Sequence, residues 1–127
     1  MLKLSIVVAA GSAIGGLLRF WMTTWASAAV PHSLPLGTIA VNILGSFGIG
    51  AVAAMASGNP RAIGGPTGHH FLMAGLLGGF TTFSAFSLQT LVLLQQGRWS
   101  DAALNVTLSV GLCLGAVCAG WAAVVRS

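Results

Sequence analysis

Residues 75 to 87, Gly-Leu-Leu-Gly-Gly-Phe-Thr-Thr-Phe-Ser-Ala-Phe-Ser, put a polar, glycine-rich kink inside the apolar stretch Phe71 to Leu94. Hydrocarbon cannot satisfy freed backbone N–H and C=O groups, so irregular backbone at membrane depth persists only where it is buried in protein or lines a polar cavity. The carbonyls and amides exposed at such an interruption are natural ion ligands. The chemistry this stretch implies is ion handling rather than catalysis. Phe83 and Phe86 flank it at i, i+3. An aromatic ring has a positive edge that can meet an anion, while lipid contact or core packing is the competing reading for each. Gln89 follows Phe86 at i+3, with an amide that can donate or accept.

The other polar residues in apolar stretches fall into two stripes and one charge. Thr38, Asn42 and Ser46 recur at i, i+4, i+8 and share one helix face. The Asn42 amide offers two donors, which suits an anion that must be given hydrogen bonds in place of water; hydrogen bonding between helices is an equally open role. Asp101, Asn105, Ser109 and Cys113 form a second i+4 stripe that either lines a solvated groove or packs helix to helix. Arg19 lies 15 residues beyond Leu4. It either snorkels to the far interface or sets a fixed positive charge at an aqueous vestibule that draws anions. His32, His69 and His70 have no ligand-like spacing and read as solvated ends.

The elements that must position these residues are membrane helices, because 56% of the 127 residues are hydrophobic and only 5% are charged. A helix crosses the hydrocarbon with about 20 apolar residues. Four stretches qualify: Leu4 to about Val30, Gly37 to Ala56, Phe71 to Leu94 and Ala102 to Val125. The segments left over, a Pro31 to Pro35 turn, a Ser57 to His70 loop and a Gln95 to Asp101 connection, build no further domain. The chain is therefore expected to be one four-helix transmembrane domain over residues 1–127. The N-terminus imitates a secretory signal, with Lys3 and Ala26-Ser27-Ala28, but its apolar run is too long for an h-region of roughly 7 to 15 residues.

Four short helices enclose very little, so a walled pore requires an oligomer. Gly11/Gly15, Gly75/Gly79 and Gly111/Gly115 form Gly-x-x-x-Gly pairs suited to close helix contact, with Ser46/Gly50 a looser version. Cys113 and Cys118 point about 140° apart on one helix and cannot bridge. The net charge of +4 is spread singly, which excludes a nucleic-acid surface. Lys3, Arg61 and Arg126 fall on one side of the membrane and Arg98 on the other. This bias suits an N-terminus-inside protein and also permits insertion both ways.

Taken together, these residues resemble the Fluc/CrcB family of fluoride channels over all four spans. Gly75 to Phe86 is similar to that family's central signature, Gly-Phe-x-Gly-Gly-x-Thr-Thr-Phe-Ser-Thr-Phe. Gly15-Gly16-Leu17-Leu18-Arg19-Phe20 and the segment Gly37 to Phe47 are similar to its first and second spans. The resemblance implies an all-α membrane protein with a broken third helix, assembled as a dual-topology antiparallel homodimer in the bacterial cytoplasmic membrane, with two fluoride pores along the subunit interface. It implies a pore that includes Asn42, Phe83 and Phe86, with Asn105 and Ser109 where the family's fourth-span polar track lies; Arg19, in the matching first-span segment, is the candidate vestibule charge. It further implies a structural sodium ion at the dimer centre, held by the backbone carbonyls of Gly78 and Thr81 from each subunit.

Three residues depart from the family pattern: Gln89 stands for a frequent Glu, Asn105 for a frequent Tyr, and Ala85 for the usual Thr. The function implied is passive, selective fluoride efflux with membrane lipids and a second copy as the only other partners, and no catalysed reaction. A small proton-coupled exporter of hydrophobic cations also has four spans, but it needs a membrane-embedded acid, and the single acid here is the terminal Asp101. A structural subunit of a larger complex accounts for the glycines and leaves the interrupted third span without a purpose.

Overall fold

The computed structural model describes residues 1–29, 33–59 and 61–127. Val30, at the predicted end of the first span, and Pro31, His32 and Pro60 of the predicted connections lie outside them. Among the described residues every regular element is helical, and four runs are long and apolar enough to cross a membrane. They are α1 (Leu2–Ala29), α2 (Leu36–Gly58), the composite run Gly65–Gln95, and a final helix Trp99–Val125. The composite run holds α3 (Gly65–His69), a π-helical segment His70–Leu77, α4 (Gly78–Phe80) and α5 (Phe83–Gln95), which makes the final helix α6. Even the 23 residues of α2 extend about 35 Å at 1.5 Å per residue, more than the hydrocarbon thickness of about 30 Å.

The third run begins at Gly65 rather than at the predicted Phe71, for a local reason. Gly64 takes left-handed backbone (φ 84°), and Pro66 in the first turn gives up an N–H that has no intrahelical partner there. Its end is equally local. Gly97 (φ 72°) donates its N–H to Leu94 O and Arg98 donates to Leu93 O, closing α5 with a Schellman turn. α6 then starts at Trp99, three residues before the predicted Ala102.

Glycines, not bulky side chains, set how closely the spans approach. A Cβ on Gly75 would sit 3.0 Å from Gly11 Cα, and one on Gly79 would sit 2.6 Å from Ser12 O. The first two predicted glycine pairs therefore face each other, locking α1 against the π-helical segment and α4. α2 meets α6 in the same manner, since a Cβ on Gly50 would lie 3.1 Å from Trp121 N and one on Gly120 3.1 Å from Ala51 N. A Cβ on Gly111 or Gly115 would meet nothing within 4 Å among the described residues. Large apolar side chains such as Leu17, Trp21, Trp25 and Leu114 point outward. That is the arrangement expected where the surrounding solvent is lipid and close packing, not apolar burial, holds helices together.

Candidate functional site at the interrupted third span

The π-helical segment ends at Leu77 and α4 lasts three residues before Thr81 (φ −81°, ψ 160°) and Thr82 (φ −152°, ψ 112°) become extended. Side chains from two elements hold this interruption. Thr81 donates both its N–H and its hydroxyl to Leu77 O, at 3.0 and 3.1 Å. Asn42 of α2 pairs with both polar backbone groups of Thr82 as a neighbouring strand would: its Oδ1 accepts the Thr82 N–H at 2.7 Å and its Nδ2 donates to Thr82 O at 3.1 Å. The Thr82 hydroxyl then caps α5 by accepting the Ala85 N–H at 3.2 Å.

These bonds decide which carbonyls are left over. In an uninterrupted α-helix each N–H bonds the carbonyl four residues back, so Thr82 would serve Gly78 and Ala85 would serve Thr81. Here the Thr82 N–H is committed to Asn42 and the Ala85 N–H to the Thr82 hydroxyl. The Gly78 and Thr81 carbonyls are thereby released from their helical donors. They are hard, neutral oxygen donors with no carboxylate beside them, a set that suits a monovalent cation better than calcium, whose sites are built on carboxylates.

Beside the interruption lies an open groove of about 390 Å³ lined by Asn42, Ser46, Gly78, Thr81, Thr82, Phe83, Phe86, Ser109 and Cys113 among others. The two phenylalanines differ in role. Phe86 is 8% exposed and belongs to the core, whereas Phe83 is 76% exposed on the open side, the ring centroids being 5.3 Å apart and the planes inclined at 51°. Among the described residues, one of the two N–H groups of Asn42 Nδ2 is engaged, by Thr82 O, and the second has no partner. That second N–H remains for a ligand in the groove.

Ser109 reaches the groove, but Asn105 does not: it is fully buried behind it. Asn105 Nδ2 donates to Thr90 Oγ1 at 3.0 Å, Thr90 donates to Phe86 O at 2.8 Å, and the Ser109 hydroxyl lies 3.4 Å from Asn105 Oδ1. The fourth-span stripe thus divides along its length. Asp101 closes an ion pair with Arg98 at 2.7 Å at the helix start, Asn105 anchors α6 to α5, and Ser109 and Cys113 line the groove.

The second-span stripe divides as well, because Thr38 is buried and accepts from Gln89 Nε2 at 2.9 Å, one helical turn from Asn42. Gln89 Oε1 is buried with no hydrogen-bond partner among the described residues. The Gln89 side chain also borders a second concavity of about 600 Å³, rimmed by Ser27, Ser33, Gln96 and Arg98. Arg19 is half-buried on α1 and its side chain makes no hydrogen bond or ion pair among the described residues. His69 and His70 pack edge to face at the start of the third run, 5.8 Å apart, and His32 lies outside the described residues. Thr82 and Thr90 were not singled out from the sequence. A Thr placed directly before a helical run is a recognisable capping signal, whereas nothing in the sequence marks the Thr90 to Asn105 bond.

Comparison with known proteins converges on one family. The family model described as CrcB-like protein, Camphor Resistance (CrcB), matches residues 6–121. The chain is 45% identical over 124 residues to the fluoride-specific ion channel FluC of Opitutus terrae, covering 98% of this chain and 94% of that protein. It is 47% identical over 114 residues to the protein of the same name from Paramagnetospirillum magneticum, covering 90% and 89%. To the Campylobacter jejuni protein of that name it is 42% identical over 121 residues, covering 95% and 97%.

Proposed function

The chain belongs to the CrcB-like family, and from that premise we propose that it is a fluoride-selective ion channel, a multi-pass protein of the bacterial cytoplasmic membrane that lets fluoride leave the cell passively and catalyses no reaction. The observation that carries the reading beyond family membership is the groove at the interrupted third span, where a spare amide N–H of Asn42 and the rings of Phe83 and Phe86 line one wall. Fluoride is small and binds water tightly, so a pathway that accepts it must replace that water with close donors in a narrow space. Asn42 supplies a neutral donor already fixed by its bonds to Thr82, so the entropy of orienting it is spent in folding rather than at ion entry. Phe86 offers a ring held in the core, and Ser109 offers a hydroxyl whose position Asn105 sets from behind. Arg19 is assigned to the vestibule, as a positive charge that raises the local anion concentration.

A one-sided groove does not confine an ion, and the working unit of this reading is an antiparallel homodimer in which a second copy supplies the missing wall. The 76% exposure of Phe83, a large apolar ring beside a polar groove, supports that assignment. The same unit would bring the two sets of released Gly78 and Thr81 carbonyls together and hold a sodium ion between them. When bound, sodium supplies a positive centre that offsets the carbonyl dipoles and ties the two interrupted spans to each other.

The test is electrogenic efflux from proteoliposomes loaded with fluoride or chloride, with and without a proton gradient. Fluoride is expected to leave rapidly without a gradient, and chloride hardly at all. Equal rates for the two anions would refute selectivity. Proton-driven movement of a lipophilic cation without fluoride flux would instead establish the exporter, whose required acid has no counterpart here beyond Asp101, already paired with Arg98.

A further inference from the structure

We infer that Asn42 is the residue that makes the cation site, in addition to lining the anion groove: by taking the Thr82 N–H it withholds from Gly78 O the donor that would otherwise close the helix over it. This inference rests on the sodium reading above. Its starting point is that an interruption of a helix in a membrane must be stabilised by something, because each released backbone group costs free energy when left without a partner. Thr82 has both of its backbone groups bonded by one side chain, through the 2.7 and 3.1 Å contacts with Asn42. Remove that side chain and both groups need new partners. The nearest partner for the Thr82 N–H is the carbonyl it would serve in a continuous helix, Gly78 O. Capture of that carbonyl straightens the run and turns one of the two proposed cation ligands away.

Position supports a dual role. Asn42 sits on α2, an element separate from the ligand-bearing run, so it acts on the carbonyls only through Thr82. Gly45, one turn further along the same helix, presses against the Thr81 side chain, since a Cβ there would collide with Thr81 Cγ2. α2 therefore determines the conformation of both extended residues, Thr82 by hydrogen bonding and Thr81 by contact. The consequence is coupling: the residue that offers an N–H to the anion is the one that keeps a carbonyl open for the cation. Asn42 is a positioning residue toward the cation, touching it at no point.

The two roles separate by substitution. Asn42→Leu, which has the branched outline of Asn but is bulkier, and the smaller Asn42→Ala both remove the acceptor for Thr82 N–H and the donor to the groove. Asn42→Asp keeps an acceptor for Thr82 N–H but loses the amide N–H offered to an anion. The measurement is the thermal stability of the purified dimer as sodium replaces a large organic cation, read by size-exclusion after heating, with anion flux measured in parallel. Loss of an outer partner of a metal ligand typically weakens metal affinity by about 10- to 100-fold. The sodium concentration giving half the stabilisation is therefore expected to rise at least about tenfold in Asn42→Leu and Asn42→Ala. Asn42→Asp should keep the wild-type value or a lower one while its fluoride flux falls.

If Asn42→Leu and Asn42→Ala do not assemble, Asn42→Asp decides: a sodium response at or below the wild-type midpoint supports the inference, and loss of that response overturns it. An unchanged sodium midpoint in Asn42→Leu would overturn the inference while leaving the sodium site standing. A wild-type dimer indifferent to sodium would overturn both.

Discussion

Replacing Asn105 separates a buried anchor from an ion ligand, and the structure sets the size of the effect. Asn105 is fully buried and makes two side-chain hydrogen bonds, at 3.0 Å to Thr90 and 3.4 Å to Ser109. Side-chain hydrogen bonds between membrane helices contribute about 0.6 kcal/mol on average and about 1.7 at most. Nearly all of the contribution belongs to the shorter bond, because the contact with Ser109 is at the limit of hydrogen-bonding distance. Thr90 keeps its own bond to Phe86 O at 2.8 Å when Asn105 is lost, and Ser109 can turn to the carbonyl four residues back, so neither hydroxyl is stranded.

Loss of these bonds should therefore cost about 1 kcal/mol in Asn105→Leu, and the larger Leu side chain adds an overpacking cost of about 1–3 kcal/mol at this fully buried site. Asn105→Ala adds a void of about 30 Å³ and, at about 24 cal/mol per Å³, another 0.7 kcal/mol or so. The order of stability is expected to be wild type, then Ala, then Leu, in a reversible denaturing-detergent titration followed by helicity. Because Asn105 acts on the groove only through Ser109, fluoride flux per assembled dimer should fall by less than about fivefold, the equivalent of about 1 kcal/mol. An Asn105→Ala protein with wild-type stability and abolished flux would refute this reasoning and make Asn105 a direct ligand of the ion.

The two phenylalanines should differ in what they cost the fold. Phe86→Ala is expected to lower stability by about 3 kcal/mol because Phe86 is in the core, whereas Phe83→Ala, exposed in the single chain, should leave monomer helicity unchanged. In assembled dimers checked by size-exclusion, Phe83→Ile with Phe86→Ile should reduce fluoride flux at least about tenfold, the equivalent of about 1.4 kcal/mol, and normal flux would remove both rings from the pathway. Gly79→Ala drives a Cβ to within 2.6 Å of Ser12 O, and overpacking of this kind should cost about 1–3 kcal/mol, visible as a lower thermal midpoint. Gly111→Ala and Gly115→Ala meet open space among the described residues. They should not weaken the single-chain fold, so any loss of dimer in those variants measures contact between copies.

Much of the architecture was legible in the residues because its causes are local. Apolar runs of sufficient length specify membrane spans wherever they occur, since an unpaired backbone cannot lie in hydrocarbon. The Thr81-Thr82 pair lies at the glycine-rich kink read from the sequence, and two of the three glycine pairs proved to be close helix contacts. The boundaries that moved, Gly65 for Phe71 and Trp99 for Ala102, moved because of backbone geometry at Gly64 and Gly97. Their positive φ angles follow from turn closure, which an apolar-run criterion does not register.

What tertiary structure alone decided is the division of labour among polar residues that share a periodicity. Thr38, Asn42 and Ser46 look equivalent on a helical face, yet one is spent on Gln89, one on the backbone of Thr82, and one borders the groove. Asn105 and Ser109 share a stripe, yet one is sealed behind the groove and the other opens onto it. Periodicity specifies the direction in which a side chain leaves its own helix. Which donors and acceptors it meets depends on the axial offset and rotation of the opposing helix, and these are set by where glycine backbones make contact across the bundle. The partners of Asn42 and Asn105, 40 and 15 residues away in sequence, exist only once those helices are packed.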